Sequence, residues 1–334
     1  MKKFTLFLLA LMVGASTIIF TGCKNDNIIR VNEVTHSVFY APLYVAINNG
    51  YFEEEGYTIQ LTNGGGSDAS MTALLSGSAD IALMGPETNV YVASQGRTDY
   101  PVIFGQLTKR DGSFLVGRTP EPNFDWSNLN GKHFIAGRRG GSPAMSLQYA
   151  LEQNGYNIQT DVNFDLSVAF NNTVGAFEGG LGDYVTMFEP AASDYVAAGK
   201  GYIVAAVGQE SGEVPFTTFS ANRSYLNNNK DKIDMFLKCI IKAYNFIVTA
   251  DIEDVVDSLM PSFDGSSRNS IKNAVLNYIA IDAWMDTPVM LESSFNRLQD
   301  VMQGAGELQQ QNRVEFADIV DNSFAQRVLN TYFA

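Results

Sequence analysis

Two short glycine turns make the sequence's clearest offer of binding chemistry. Gly64-Gly65-Gly66-Ser67 and Gly140-Gly141-Ser142-Pro143 each run into a helical pattern. Glycine lets backbone approach a ligand closely, and the free N–H groups of a helix start favour an anion or a carbonyl oxygen. Either turn alone is ordinary turn chemistry. As a pair they suggest a polar clamp, with Gly65, Gly66, Ser67, Gly141 and Ser142 as ligand contacts. Arg138 and Arg139 precede the second turn, where a guanidinium could meet a sulfonate, carboxylate or phosphate, or form a salt bridge between lobes. Glu87, in Met84-Gly85-Pro86-Glu87-Thr88, and Glu189, in Met187-Phe188-Glu189-Pro190, both follow apolar strand patterns. A carboxylate there could accept hydrogen bonds from a ligand's amino group. The bland alternative is a negative charge at a helix start, worth under about 1 kcal/mol. Thr88 is a further candidate, with Asn89 and Thr186 behind it. Phe39 and Tyr40 fall between a strand and a helix, where flat rings could stack on a planar ligand or simply pack the core. His36 is a binding group or a polar strand end. Asp80 is read as turn-forming.

The elements that must hold these residues alternate. Val31 to Val38 reads as a strand and Pro42 to Asn49 as a helix closed by Gly50. Tyr57 to Leu61, Ile81 to Met84, His133 to Gly137, Tyr184 to Phe188 and Tyr202 to Val207 read as further strands. Helices are expected over Ala69 to Leu75, after Pro86, and over Ala144 to Asn154, Phe170 to Glu178 and Ala191 to Ala198. Such repetition predicts α/β units with mainly parallel sheets. Beyond Phe216 helices dominate: Ser224 to Thr249, Ile252 to Met260, Ser267 to Trp284, Leu291 to Met302 and Phe316 to Leu329. Arg97 to Arg118 and Glu213 to Asn222 are the natural crossings between units. The expected architecture is therefore two-lobed, with a cleft at the carboxyl ends of the strands. Lobe 1 is expected to hold residues 28–117 plus 215–334, including the helical C-terminal tail, and lobe 2 residues 118–214.

Composition narrows the function. The 334 residues carry 36 acidic and 22 basic side chains, a formal net charge of −14, which gives no electrostatic footprint for nucleic acid. Two cysteines cannot build a disulfide framework, a zinc cage or an iron–sulfur site, and two histidines leave little for acid–base or metal catalysis. No cofactor and no metal are expected. Cys239, inside an apolar stretch, reads as a small core residue.

The N-terminus resembles a bacterial lipoprotein signal. Lys2 and Lys3 precede the 17-residue apolar run Phe4 to Phe20 and then Thr21-Gly22-Cys23. Phe20 stands where that pattern usually has Leu. Residues 1–22 would be removed and Cys23 lipidated, with residues 23–30 as a linker. Losing Lys2 and Lys3 takes the net charge from −14 to −16. The other reading is an uncleaved anchor, since the run lies at the lower edge of bilayer-spanning length. On both readings the remainder lies outside the membrane.

Two further stretches resemble one family. His36-Ser37-Val38-Phe39-Tyr40-Ala41-Pro42-Leu43-Tyr44-Val45-Ala46 with Asn49-Gly50-Tyr51-Phe52-Glu53-Glu54-Glu55-Gly56-Tyr57 is the first. Gly64-Gly65-Gly66, Ala73-Leu74-Leu75-Ser76-Gly77 and Ala79-Asp80-Ile81-Ala82 form the second. Both resemble ABC-importer substrate-binding proteins of the sulfonate, nitrate and thiamine-pyrimidine-precursor group. The resemblance implies a Venus-flytrap fold of the type II periplasmic-binding-protein class. It also implies a monomeric receptor that delivers a small solute to a permease with its ATPase. In the pyrimidine-precursor branch an acid placed like Glu189 pairs with the ring amine, which makes Glu189 the preferred acid.

Other functions remain open on the sequence. A flytrap sensor lipoprotein would share every feature above. The same fold includes a pyrimidine synthase, but that branch needs a cysteine-rich iron-binding stretch and a cofactor-bearing lysine and histidine. Here only Cys239 accompanies Cys23, and His36 and His133 are the histidines. The expectation is a binding protein and not an enzyme, with either a planar nitrogen heterocycle or a sulfonate as its solute.

Overall fold

Short apolar runs covered on both faces make the central strands. Ile81–Met84 (β3) and Tyr184–Met187 (β8) are buried along their whole length, as strands flanked by helices on either side must be. In this computed structural model, residues 27–96 and 100–333 are described; the expected signal peptide and Cys23 lie outside them.

The first sheet is ordered β2-β1-β3-β10-β4, from Ile28–Glu33 (β1), Thr58–Asn63 (β2), β3, Val102–Thr108 (β4) and Thr217–Ala221 (β10). The second is ordered β7-β6-β8-β5-β9, from Phe114–Gly117 (β5), His133–Ile135 (β6), Asn163–Asp165 (β7), β8 and Tyr202–Ala206 (β9). Each sheet repeats one plan. Three parallel strands are followed by an antiparallel strand that has crossed from the other half of the chain: β10 in the first, β5 in the second. The fold is thus two-lobed α/β, its sheets mainly parallel as expected, with one antiparallel strand in each, β10 and β5.

Other boundaries also move. The first strand runs Ile28–Glu33, and Val38 opens a tight turn over Val38–Tyr40. The helix Ala41–Asn48 follows. The stretches expected to be plain crossings contain β4, β5 and β10. The helix expected over 224–249 breaks at Asn229 into Arg223–Asn228 and Lys230–Thr249. The last expected helix divides into Phe316–Ile319 and Ser323–Tyr332.

The two crossings, 109–113 and 207–216, lie against each other. Val214 N–H donates to Lys109 O at 2.9 Å and Val207 N–H to Ser113 O at 3.0 Å. Gly208 sits where an added Cβ would come within 2.1 Å of Asp111 O, so only glycine permits that approach. Over the crossings packs an aromatic cluster. The Phe39 ring lies 5.3 Å from Phe188, 5.8 Å from Phe216 and 5.0 Å from Tyr278. The helical tail supports both lobes: Lys230–Thr249 packs on Ala41–Asn48, and Arg268–Ala280 reaches the helix Ala191–Ala197.

Candidate functional site: the cleft between the lobes

The turns after the parallel strands face one another across a cleft of about 580 Å³, its solvent-open mouth included. Lobe 1 contributes Thr35 and Tyr40 after β1, Gly65 to Ser67 after β2, and Gly85 and Glu87 after β3. Lobe 2 contributes Gly137, Arg138, Gly141 and Ser142 after β6, Phe170 and Asn171 after β7, and Phe188 after β8; Phe216 and Thr217 close it at the second crossing. This is where ligands of open α/β sheets bind, at the carboxyl ends of strands.

Three helix starts converge here without side-chain caps: Ser67–Leu75, Glu87–Ser94 and Ser142–Gln153. At their meeting point stands the Glu87 carboxylate. Ser142 Oγ donates to Oε2 at 2.7 Å, and Ser67, whose Oγ accepts from Gly85 N–H at 3.2 Å, lies beside it. Glu87 is 1% exposed. Burial pushes its pKa up, against the opposing pull of Ser142, its own N–H and the Arg138 charge.

Further ties join the lobes at the rim. Arg138 lies 3.2 Å from Asp68 and Arg139 3.2 Å from Glu307, and Tyr91 donates to Gly140 O at 3.1 Å. The wall is aromatic. Phe170 and Phe188 are 4.7 Å apart and Phe188 and Phe216 6.1 Å. Tyr40 is buried beside them, and both it and Thr217 line the cleft.

Of the residues singled out in the sequence, the cleft gathers Tyr40, Gly65, Gly66, Ser67, Glu87, Arg138, Gly141 and Ser142. Phe39, His36, Thr88, Glu189, Arg139, Asn89 and Thr186 fall outside its lining. Phe39 packs over Gly112 in the first crossing, where an added Cβ would lie 2.6 Å from its ring. His36 bonds Glu33 at 3.0 Å and Ser262 O at 2.7 Å, within lobe 1. Thr88 donates to Gly85 O at 2.7 Å, closing its own turn. Glu189 is fully buried and turned away: Ser193 N–H at 2.8 Å, Ser193 Oγ at 2.9 Å and Asn277 Nδ2 at 2.6 Å occupy its oxygens. Its carboxylate caps the helix Ala191–Ala197 and ties it to the tail. Asn89 and Thr186 are buried against backbone carbonyls, and Asp80 pairs with Arg30 at 2.6 Å.

The sequence reading missed Thr35, Gly85, Phe170, Asn171, Phe188, Phe216 and Thr217. Their common signal was position rather than type, since each follows a strand or stands at the start of β10, Phe216 just before it and Thr217 as its first residue.

Comparisons with known proteins agree with this geometry. The profile of the NMT1-like family matches residues 34–259. YtlA of Bacillus subtilis (strain 168), a binding protein by name, is 39% identical over 321 residues, which are 95% of this chain and 96% of YtlA. The alkanesulfonate-binding protein SsuA of Xanthomonas axonopodis pv. citri superposes with a TM-score of 0.69 at 16% identity, covering 88% of this chain and 98% of SsuA. The nitrate-binding protein NrtA of Synechocystis PCC 6803 gives 0.70 at 13% identity, covering 92% and 89%. At such identities these two structures speak for the fold.

Proposed function

The chain belongs to the NMT1-like family, and from that premise we propose that it is the extracytoplasmic solute-binding component of an ABC importer. It captures a small organic solute between its lobes, lobe 1 being residues 28–117 plus 215–334 and lobe 2 residues 118–214, and releases it chemically unchanged. One observation carries this reading: a cleft lined from both lobes by helix starts and aromatic rings. Closing such lobes on a ligand turns affinity into a shape change that a permease can sense. Micromolar capture corresponds to about 8 kcal/mol, within reach of a few ring contacts and hydrogen bonds.

The partners proposed are a permease and its ATPase, with Cys23 as the lipid-bearing residue that keeps a monomeric receptor at the membrane. For the solute, the rings of Tyr40, Phe170, Phe188 and Phe216 favour a planar body such as a nitrogen heterocycle. A sulfonate is the second reading, favoured by the helix starts and Arg138, with the SsuA likeness in fold beside it.

A thermal-shift screen of the purified chain against sulfonates, taurine, nitrate, aminopyrimidines and riboflavin tests the proposal. Saturating ligand should raise the unfolding temperature, since anything that binds only the folded state stabilises it. No response to any compound would count against it.

A further inference from the structure

His36 stands outside the cleft, in a setting that fixes where its protons are. Nε2 lies 2.7 Å from Ser262 O, in the tight turn Met260–Ser262 of the helical tail. A carbonyl oxygen only accepts, so Nε2 carries a proton. Nδ1 lies 3.0 Å from Oε1 of Glu33, the last residue of β1, and 2.9 Å from the Tyr44 hydroxyl. That hydroxyl donates to the other Glu33 oxygen, Oε2. Nδ1 and Oε1 are left to share one further proton, which rests on the more basic ring. His36 is therefore an imidazolium held between two acceptors.

The turn that this cation holds reaches the other lobe. The Phe263 ring packs 4.6 Å from His36 and 5.0 Å from Tyr44. Ser266 N–H closes back on Phe263 O at 3.0 Å, so the seat of Phe263 sets where Ser266 stands. Ser266 Oγ in turn donates to Asp194 Oδ2 at 2.6 Å, on the second lobe's helix Ala191–Ala197.

We propose that His36 is a proton-dependent stay between the lobes: charged, it fixes the turn 262–266 and with it the Ser266–Asp194 bond, and neutral, it lets both slacken. Charge-assisted hydrogen bonds are about twice as strong as neutral ones. Once the ring is neutral, Nδ1 turns a lone pair toward the Glu33 carboxylate, and the one Tyr44 proton can serve only one of them. Asn48 also holds the turn, through Ser258 O at 2.8 Å and Ser262 Oγ at 2.9 Å, so losing the proton loosens the strap without freeing it.

The titratable groups facing the ring are Glu33 from β1 and Tyr44 from the helix Ala41–Asn48; the turn presents only a carbonyl and the Phe263 ring. The hydrogen bond to Glu33 raises the His36 pKa above its usual 6.5, with Ser262 O and the Glu33 charge adding to it and burial opposing. A raised value means that the hold is complete below about pH 6.5 and fades as pH rises through the folded value.

An NMR titration of the histidine-labelled chain from pH 5 to pH 9, with no solute present, tests this. The chain has two histidines, and His133→Gln assigns their signals. The expected midpoint of His36 lies above 6.5. Coupling between two sites is reciprocal. Ser266→Ala, which changes no charge, should therefore lower the proton affinity of His36 about two- to tenfold, while His133 titrates as before. Asp194→Ala removes the same bond from the other lobe and stands in if Ser266→Ala does not fold. A His36 midpoint at or below 6.5, or one that loss of the Ser266–Asp194 bond does not move, overturns the stay. Either result leaves the proposed function standing, since no solute enters the measurement.

Discussion

Ser142 and Glu87 stand 55 positions apart on opposite lobes, and the hydroxyl of one donates to the carboxylate of the other at 2.7 Å. This bond is at once a contact within the cleft and a latch across it. Replacing Ser142 with alanine removes the latch and leaves a buried carboxylate short of a donor, at a cost of about 1–3 kcal/mol. The expected result is a lower unfolding temperature and, in small-angle scattering of the ligand-free chain, a larger radius of gyration. An unchanged radius would show that the rim pairs of Arg138 and Arg139 hold the lobes without it.

Glu189 is expected to act on stability rather than on solute recognition. Its oxygens are taken by Ser193 and Asn277, and its backbone N–H bonds the Tyr278 hydroxyl at 2.9 Å. Glu189→Ala leaves those buried donors without an acceptor and should lower the unfolding temperature, again by about 1–3 kcal/mol of stability. The dissociation constant of whichever compound gives the largest thermal shift should stay within a few-fold of wild type. A selective loss of binding with unchanged stability would return Glu189 to the site.

Much of the site was legible because its signals are local. Gly64 to Ser67 and Gly140 to Pro143 announce turn and helix start within four residues each, and the strands that lead to them are apolar runs. Glu189 was misread because its partner Asn277 lies 88 positions away, on a helix whose docking no local pattern reveals. Strand β10 was missed for a different reason. Thr217-Thr218-Phe219-Ser220-Ala221 looks polar yet is wholly buried, its hydroxyls satisfied by partners such as Met84 O and Asn89. Phe170 and Phe216 belong to the cleft only because the lobes meet, which neither segment encodes alone.

The buried carboxyl groups set a direction for stability against pH. Burial pushes Asp111 up to about 7 from 3.8, and Glu87 and Glu189 are raised by the same cause. A carboxyl whose folded pKa exceeds its unfolded value stabilises the fold fully at low pH, and that contribution fades as pH rises through the folded value. For Asp111 the window runs between about pH 4 and pH 7. The unfolding temperature should therefore drift downward over that range, on top of other titrations. Asp111→Asn should flatten the slope, which a series of buffered melts would detect; a slope identical to wild type would refute the assignment.

Gly208 is expected to tolerate no side chain. An alanine Cβ would stand 2.1 Å from the Asp111 carbonyl oxygen, backbone against backbone, so the two crossings must separate. Overpacking of this kind costs about 1–3 kcal/mol or more. Gly208→Ala should lower the unfolding temperature and weaken solute binding together, because the crossings set how the lobes meet. Wild-type stability would mean that the crossings are looser than the fold implies.

The central claim is that the cleft captures a small molecule and returns it intact. Calorimetric titration of the chain with the compound giving the largest thermal shift, followed by mass spectrometry of that compound after release, measures both halves. The account predicts one site per chain, binding weakened by Phe188→Ala at the cleft wall, and recovery of the compound at its original mass. Binding indifferent to Phe188→Ala, or a compound recovered at a changed mass, would contradict it.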